Sequence, residues 1–437
     1  MRILRLWFLF VLCLPAAAQT SNLSGRWFVS TDLYGTPIYY PLHLVQQGDK
    51  LTGDFGGDKL QGTLTSNTVQ FHAVDDQGGW EDCKATIANG LLTGTIVFVD
   101  GSDKEHPQTR QFTAKMVPVI SANKSPVRHD FTPSVFYRRF SHEIKPVLTI
   151  HSGDTIHTTT VDAGGTDEKG VTRVLGGNPE TGPFYVEGAY PGDTLAVHID
   201  RLKLNRDYAI SDDGIVPRGL TGGLAIKTKD NNANVRWHLD LQRGLATPEK
   251  PGEHMASYAV PVKPMLGCVA TAVNSAAAPP GTGDSGRFGG NMDFNEVVEG
   301  NTIYLPVSVP GALLYFGDGH ALQGDGEING NALETSMEVE VTVEVIQGKR
   351  VPGPRLESST HIMAMGLEGS LDDAFKSATD NMANWLMEQY KLTPSEVAMV
   401  IGTASEYKVS EVADRNAGMV LKIRKDLLAH LPRPAAK

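Results

Sequence analysis

The stretch Gly317-Asp318-Gly319-His320-Ala321-Leu322-Gln323-Gly324-Asp325-Gly326-Glu327 sets three carboxylates and one imidazole among four glycines. Carboxylate oxygen and imidazole nitrogen together make a donor set for a divalent cation. The apolar run Ala312-Leu313-Leu314-Tyr315-Phe316 precedes it and reads as a buried strand. If that strand continues, Asp318 and His320 lie two residues apart and project from one face, where both reach the same ion. The glycines permit backbone angles that side chains forbid and let a ligand approach the main chain. Two plainer roles stay open for the stretch alone: a structural calcium loop, or a solvated acidic hairpin.

Other residues could join this chemistry. Gly289-Gly290-Asn291-Met292-Asp293 follows a Pro- and Gly-rich stretch. Its paired glycines would expose N–H groups to an oxyanion, with Asn291 as a further donor and Asp293 as a cation ligand. The alternative is a glycine-rich turn. Asp162, before the pair Gly164-Gly165, is a further candidate ligand. Glu187 interrupts an apolar strand, so it must be paired, ion-bound or exposed. Asp193, in Pro191-Gly192-Asp193, reads as a turn residue. Nucleophile signatures are poor: there is no Gly-x-Ser-x-Gly elbow, and Cys83 and Cys268 lack a catalytic setting.

Several elements must hold these residues. Between about Leu23 and Lys115 short alternating segments recur: 25–29, 39–46, 50–55, 59–64, 68–72, 83–87, 91–99 and 111–116. That rhythm predicts an antiparallel barrel or sandwich, placed at 19–117, with Trp27 in its core. A linker is expected over 118–132. From 133 to 431 a β-rich α+β unit is expected, making the chain mainly β with some α. Strands are expected at 147–150, 195–199 and 338–346. Apolar residues at 371, 374, 375, 378, 382, 385 and 386 predict a helix over Leu371 to Tyr390, with Asp372 and Asp373 in its first turn. A second helix is expected over 395–403, and 411–428 carries mixed helix and strand signals.

Length and charge narrow the function. At 437 residues the chain holds more than one compact unit, and its formal charge of -11 without Lys/Arg clusters argues against nucleic acid or anionic membrane as partner. Arg2 and Arg5, the apolar run Leu6 to Leu14, and Ala16-Ala17-Ala18 read as an export leader over 1–18, implying a periplasmic or secreted protein. No later run is long enough for a membrane span. With Cys13 in the leader, Cys83 and Cys268 remain, expected as buried free thiols. There is no Cys-x-x-Cys pair, so a metal would be held by His, Asp and Glu.

Taken together, Thr181-Gly182-Pro183, Val186-Glu187-Gly188-Ala189-Tyr190-Pro191-Gly192-Asp193, Gly289-Gly290-Asn291-Met292-Asp293, Tyr304-Leu305-Pro306-Val307 and the 317–327 stretch resemble the acetamidase/formamidase family in order and spacing. The resemblance covers roughly 130 to 430. It implies a largely β, often oligomeric enzyme that hydrolyses short amides to a carboxylate and ammonia and uses a divalent metal. The family is mostly cytoplasmic, so a leader and an N-terminal β unit are departures that leave the substrate open. The expected site then has zinc, with calcium as the alternative, on Asp162, Asp293, Asp318 and His320. Glu187, Glu327 or Glu334 would carry the proton, and Gly289, Gly290 and Asn291 would meet the oxyanion. The rival expectation is a non-catalytic periplasmic binding or scaffold protein, which would leave Asp293, Asp318 and His320 dispersed.

Overall fold

The computed structural model describes residues 22–120, 125–229 and 233–432. The expected leader, residues 1–18, lies outside them. Eight antiparallel strands, Gly25–Leu33, Thr36–Gln47, Lys50–Phe55, Asp58–Thr65, Thr68–Val74, Trp80–Ala88, Leu91–Asp100 and Asp103–Met116, form a closed barrel, because the first pairs with both the second and the last. Each expected segment of this region is one of these strands. Alternation is the reason: in Thr68–Val74 every second residue is buried, and Val69, Phe71 and Ala73 join Trp27, Leu44, Phe55 and Leu92 in one core. Trp27 is buried and its indole N–H donates to the Leu23 carbonyl at 2.9 Å. Cys83 in this core and Cys268 in another are both free.

Beyond the barrel lie sheets of six, nine and four strands. The six-stranded sheet has Leu314–His320 near its middle, between Thr181–Glu187 and Met265–Thr271. The nine-stranded sheet includes Thr194–Leu204 and Met337–Ile346. Residues of both larger sheets, such as Phe184, Leu266 and Phe316 from one and Val197, Val339 and Val341 from the other, share a single apolar core. Two β faces packed this way form a sandwich. Arg128–Asp130, inside the expected linker, instead pairs with Thr155–Thr159 at the edge of the nine-stranded sheet.

The helix Leu371–Tyr390 has the bounds its periodicity predicts, and Ser370 caps it by accepting from the Asp373 N–H. It packs on the strand His361–Glu368 so closely that a Cβ on Gly366 would lie 2.0 Å from the Ala374 carbonyl oxygen. The second helix is Pro394–Ala404, closed by a Thr393/Glu396 capping box. The mixed-signal segment resolves as the strand Ala417–Arg424.

The barrel is fastened to the sandwich by few but specific contacts. Arg26 pairs with the buried Asp193, which also accepts the Gly348 and Tyr190 N–H groups at 2.8 and 3.0 Å. Phe28 stacks on Tyr190 at 4.9 Å, and the Asn274 side chain bonds both backbone groups of Tyr39. Asp193 is thus a joint between the barrel and the turn it belongs to. Among the described residues no helix is long and apolar enough to cross a membrane.

Candidate metal centre

All seven residues of Leu314–His320 are buried, as expected for a strand inside a covered sheet. The ladder runs Met265 opposite His320, Leu266 opposite Gly319 and Cys268 opposite Gly317, which sets Gly267 across from Asp318. Gly267 is indispensable there: a Cβ would fall 2.4 Å from Asp318 Oδ2 and 2.5 Å from Asp293 Oδ1. Asp293, Asp318 and Glu327 all adopt positive φ, 40°, 52° and 44°. Such angles are costly for non-glycine residues and concentrate where the surrounding structure enforces a function.

Three carboxylates converge on one imidazole. His320 Nε2 lies 3.2 Å from Glu334 Oε1, 3.3 Å from Asp318 Oδ2 and 3.8 Å from Asp293 Oδ1, and all four side chains are buried. Asp293, Asp318 and His320 each offer a ligand atom within 4.8 Å of the others, and so do His320, Glu327 and Glu334. The segment bearing Glu334 is brought alongside by a β-bridge to His320. Nε2, Asp293 Oδ1, Asp318 Oδ1 and Glu334 Oε2 are buried without a hydrogen-bond partner. Native interiors rarely tolerate such orphans, and here four belong to one cluster of side chains.

Gln323 assigns the chemical state of His320. Its Nε2 donates to the carbonyls of Asp293 at 2.5 Å and Ser410 at 3.2 Å, so its Oε1 is the atom 2.9 Å from His320 Nδ1. The hydrogen-bond network therefore puts a proton on Nδ1 and leaves Nε2 to face the carboxylates. A lone pair aimed at three carboxylates is repulsive unless a cation stands between them. A proton alone can play that part: burial would lower the His320 pKa, but Glu334 and Asp318 outweigh it and hold it well above its ordinary value. A divalent ion fits better, because it satisfies the orphan oxygens as well.

Electrostatics elsewhere in the cluster agree. Burial raises the carboxyl pKa of Asp293 and Glu327 well above the ordinary range, and the neighbouring carboxylates push the same way. Burial moves Glu334 to about 7. Seven acidic residues so close together are a standing demand for positive charge, since Asp414, Glu411 and Glu180 also border the cluster.

Comparison with known proteins bears on this geometry. Residues 267–415 match the sequence profile of the Acetamidase/Formamidase family. The chain is similar to acetamidases and formamidases. A segment of 61 residues is 44% identical to the acetamidase of Mycolicibacterium smegmatis, covering 14% of this chain and 15% of that protein. Sequence matching thus spans well under two thirds of the curated relative. Structural likeness is broader: the acetamidase of Bacillus halodurans is 28% identical with a TM-score of 0.59, over 69% of this chain and 99% of that one. A protein described as a predicted acetamidase/formamidase of Thermoanaerobacter tengcongensis gives 28% and 0.59, over 70% and 99%.

Of the residues expected in the site, Asp293, Asp318, His320, Glu327 and Glu334 come together. Asp162 does not join them. The buried Arg206 claims its Oδ2 at 2.6 Å, and its Oδ1 accepts the Thr166 N–H at 2.8 Å. Arg206 also donates to the Glu334 carbonyl and to Thr335 Oγ1, so Asp162 supports Glu334 from behind. Glu187 lies at the wrong end of its strand: Thr181 pairs with Phe316 and Phe184 with Leu314, carrying Glu187 away from His320. It is exposed and paired with His151 at 2.7 Å.

Gly289 and Gly290 also serve otherwise than expected. They form the middle of a ladder between Met265–Thr271 and Ser285–Gly286, with pairing on both edges. A Cβ on either would lie 2.3 Å from a carbonyl oxygen, so their role is close strand contact. Asn291 does sit beside the cluster, but its amide donates to Asp293 Oδ2 at 2.6 Å and Asp414 Oδ2 at 2.7 Å. That makes it a clamp on the acidic residues.

Five residues of this neighbourhood escaped the sequence reading. Gln323 was within the glycine-rich stretch, and its position three after His320 was the available signal. Asn178 donates to Asn291 Oδ1 at 3.0 Å and to Asp318 Oδ2 at 3.4 Å. Glu411 is buried with Oε1 unpartnered, and burial followed by Asp414 raises it to about 8. Glu180 immediately precedes the Thr181-Gly182-Pro183 motif. For Glu411 and Asp414, in a segment of mixed signal, the sequence offered no cue.

Proposed function

We propose that this chain is an exported, metal-dependent amidohydrolase that converts short linear amides, of formamide or acetamide size, to a carboxylate and ammonia. The observation that carries the reading is His320 Nε2, turned by Gln323 toward Asp293 and Asp318 at one point over Gly267. Those three residues would hold the ion, with Glu334 close enough to join. One nitrogen among carboxylate oxygens favours zinc over calcium, which takes six to eight oxygen ligands. A bound divalent ion supplies Lewis acidity to the amide carbonyl and makes water acidic near neutral pH.

The chain's own groups handle the proton. Amide ion is too poor a leaving group to depart unprotonated, so a carboxyl must take a proton from water and deliver it to nitrogen. Glu334 and Glu327 both border the imidazole and are the carboxyls placed for that transfer. The export part of the reading rests on Arg2, Arg5, Leu6 to Leu14 and Ala16-Ala17-Ala18.

Ammonia release by the purified protein from formamide, acetamide and larger amides tests the reading, before and after chelation and with zinc or calcium restored. Release that stops on chelation and returns with one metal is the expected result. His320→Ala should abolish turnover and metal retention while the chain stays folded. Full activity in that variant, or metal-loaded protein inert toward every amide, would sink the assignment.

A further inference from the structure

Asp162 does not join the cluster, yet the loop that it opens returns there at Asn178. The loop is closed upon itself. The Thr166 N–H donates to Asp162 Oδ1 at 2.8 Å, and the Asp162 N–H donates to the Thr166 carbonyl at 3.0 Å. Thr172 bridges Thr166, and the Arg173 N–H donates to the Gly165 carbonyl at 2.8 Å. At the neck, the Ala163 carbonyl accepts the N–H groups of Gly177 and Asn178 at 3.0 and 3.2 Å. Gly165, at a φ of +83°, passes so close to Val174 that a Cβ there would lie 2.1 Å from the Val174 carbonyl oxygen. The two ends of the loop are therefore tied and cannot shift separately.

Each end holds a different acidic residue of the centre. At the first, Asp162 Oδ2 accepts from the buried Arg206 at 2.6 Å, and the same guanidinium donates to the Glu334 carbonyl at 3.2 Å and to Thr335 Oγ1 at 3.0 Å. At the second, Asn178 Nδ2 donates to Asp318 Oδ2 at 3.4 Å and to Asn291 Oδ1 at 3.0 Å, from a backbone at a φ of 51°. Asp318 and Glu334 in turn approach His320 Nε2 at 3.3 and 3.2 Å. We propose that the loop 162–178 is one positioning device, which sets the separation of Asp318 and Glu334 across His320 and thereby favours a small divalent ion over a large one. Asp162, Arg206 and Asn178 are its positioning residues. Zinc bonds carboxylate oxygen at about 2.0 to 2.2 Å, whereas calcium takes about 2.3 to 2.6 Å in a flexible shell. A frame that holds the ligands close serves the first ion and adds little for the second. The inference rests on the metal-dependent reading and names the residues that make the centre a zinc site.

The test measures ion affinity of the full chain, zinc by competition with a chromophoric chelator and calcium by calorimetry, in the wild type, Asp162→Asn, Asn178→Gly and the double variant. An amide has one acceptor oxygen where the carboxylate has two, so Asp162→Asn gives up either Thr166 or Arg206. Glycine keeps the positive φ at position 178 without strain and removes the side-chain bonds. Each single variant should lower zinc affinity about 10- to 100-fold and calcium affinity by about threefold or less. Because each change opens the same frame, the double variant should bind zinc no more weakly than the weaker single. Thermal unfolding of the zinc-free proteins checks that each is folded, and Arg206→Lys replaces Asp162→Asn, alone and in the double variant, should the latter not fold. Losses that multiply in the double variant would show two independent contacts, and equal losses for zinc and calcium would show general loosening. Either result, or unchanged zinc affinity in either single variant, overturns this inference and leaves the amidohydrolase standing. A wild type that binds no zinc brings down the metal-dependent reading with it.

Discussion

In the chain without a bound ion, stability should fall as pH rises, and Glu334 allows the size of that effect to be worked out. Burial first, and then the Asp318 charge, pushes its carboxyl from an ordinary 4.5 to about 7, against the opposing pull of His320. Between those values the metal-free folded chain keeps a proton that the unfolded chain has lost. Stability must then decline with pH, starting near 4.5 and levelling off above about 7. At 1.36 kcal/mol per pH unit the whole interval is worth about 3 kcal/mol. For a chain of this length the unfolding entropy is about 0.9 kcal/mol/K, so the midpoint should drop by about 3 °C. Zinc favours the ionised carboxylate and should flatten the dependence. The assay is thermal unfolding from pH 5 to 8 of zinc-free wild type and zinc-free Glu334→Gln, each also with zinc restored. The wild type should lose stability more steeply than the variant without zinc, and the difference should vanish with it. Parallel curves for the two zinc-free proteins would refute the buried, proton-holding Glu334 on which the argument depends.

Gln323→Leu removes the acceptor that holds His320 in its ligating tautomer, so zinc affinity should fall about 10- to 100-fold, measured by competition with a chromophoric chelator; unchanged affinity would mean that another group orients the ring. Gly267→Ala drives a methyl into Asp318 and Asp293, and zinc binding should be lost even where circular dichroism reports a folded chain. Glu187→Gln should leave both zinc content and turnover within about twofold of wild type, since that side chain is exposed at the far end of its strand; a loss of 100-fold in turnover would return Glu187 to the site.

How much of this could be read in advance depended on how local the signal was. The eight barrel strands were legible because each buries one face only, and burial then alternates with period two, as in Thr68–Val74. Leu371–Tyr390 was legible for the corresponding helical reason. The strand Ala417–Arg424 gave a mixed signal because it is buried on both faces, which erases the alternation. The four-stranded sheet of Tyr208–Asp212, Asn234–Asp240, Leu245–Pro248 and Val260–Pro261 is built of short, partly exposed strands that resemble loops.

The site divides along the same line. Asp318 and His320 were legible because two residues of one strand share a face, and Asp293 because it follows a glycine pair that reads as an oxyanion site, a role those ladder-bound glycines do not have. Asp162 looked equivalent to Asp293: each is an acidic residue in a glycine-rich turn. What separates them is Arg206, 44 positions along the chain, which takes the Asp162 carboxylate in a buried ion pair. Such a pair is set by packing, and no spacing in the sequence announces it. His320 shows the same limit at a single atom. Its neighbour Gln323 is three residues away, yet an amide can turn either end toward an imidazole. The carbonyl of Ser410, 87 residues beyond Gln323, engages the Nε2 end and so fixes Oε1 on Nδ1. Which ring nitrogen faces the carboxylates is thereby decided by a residue far along the chain.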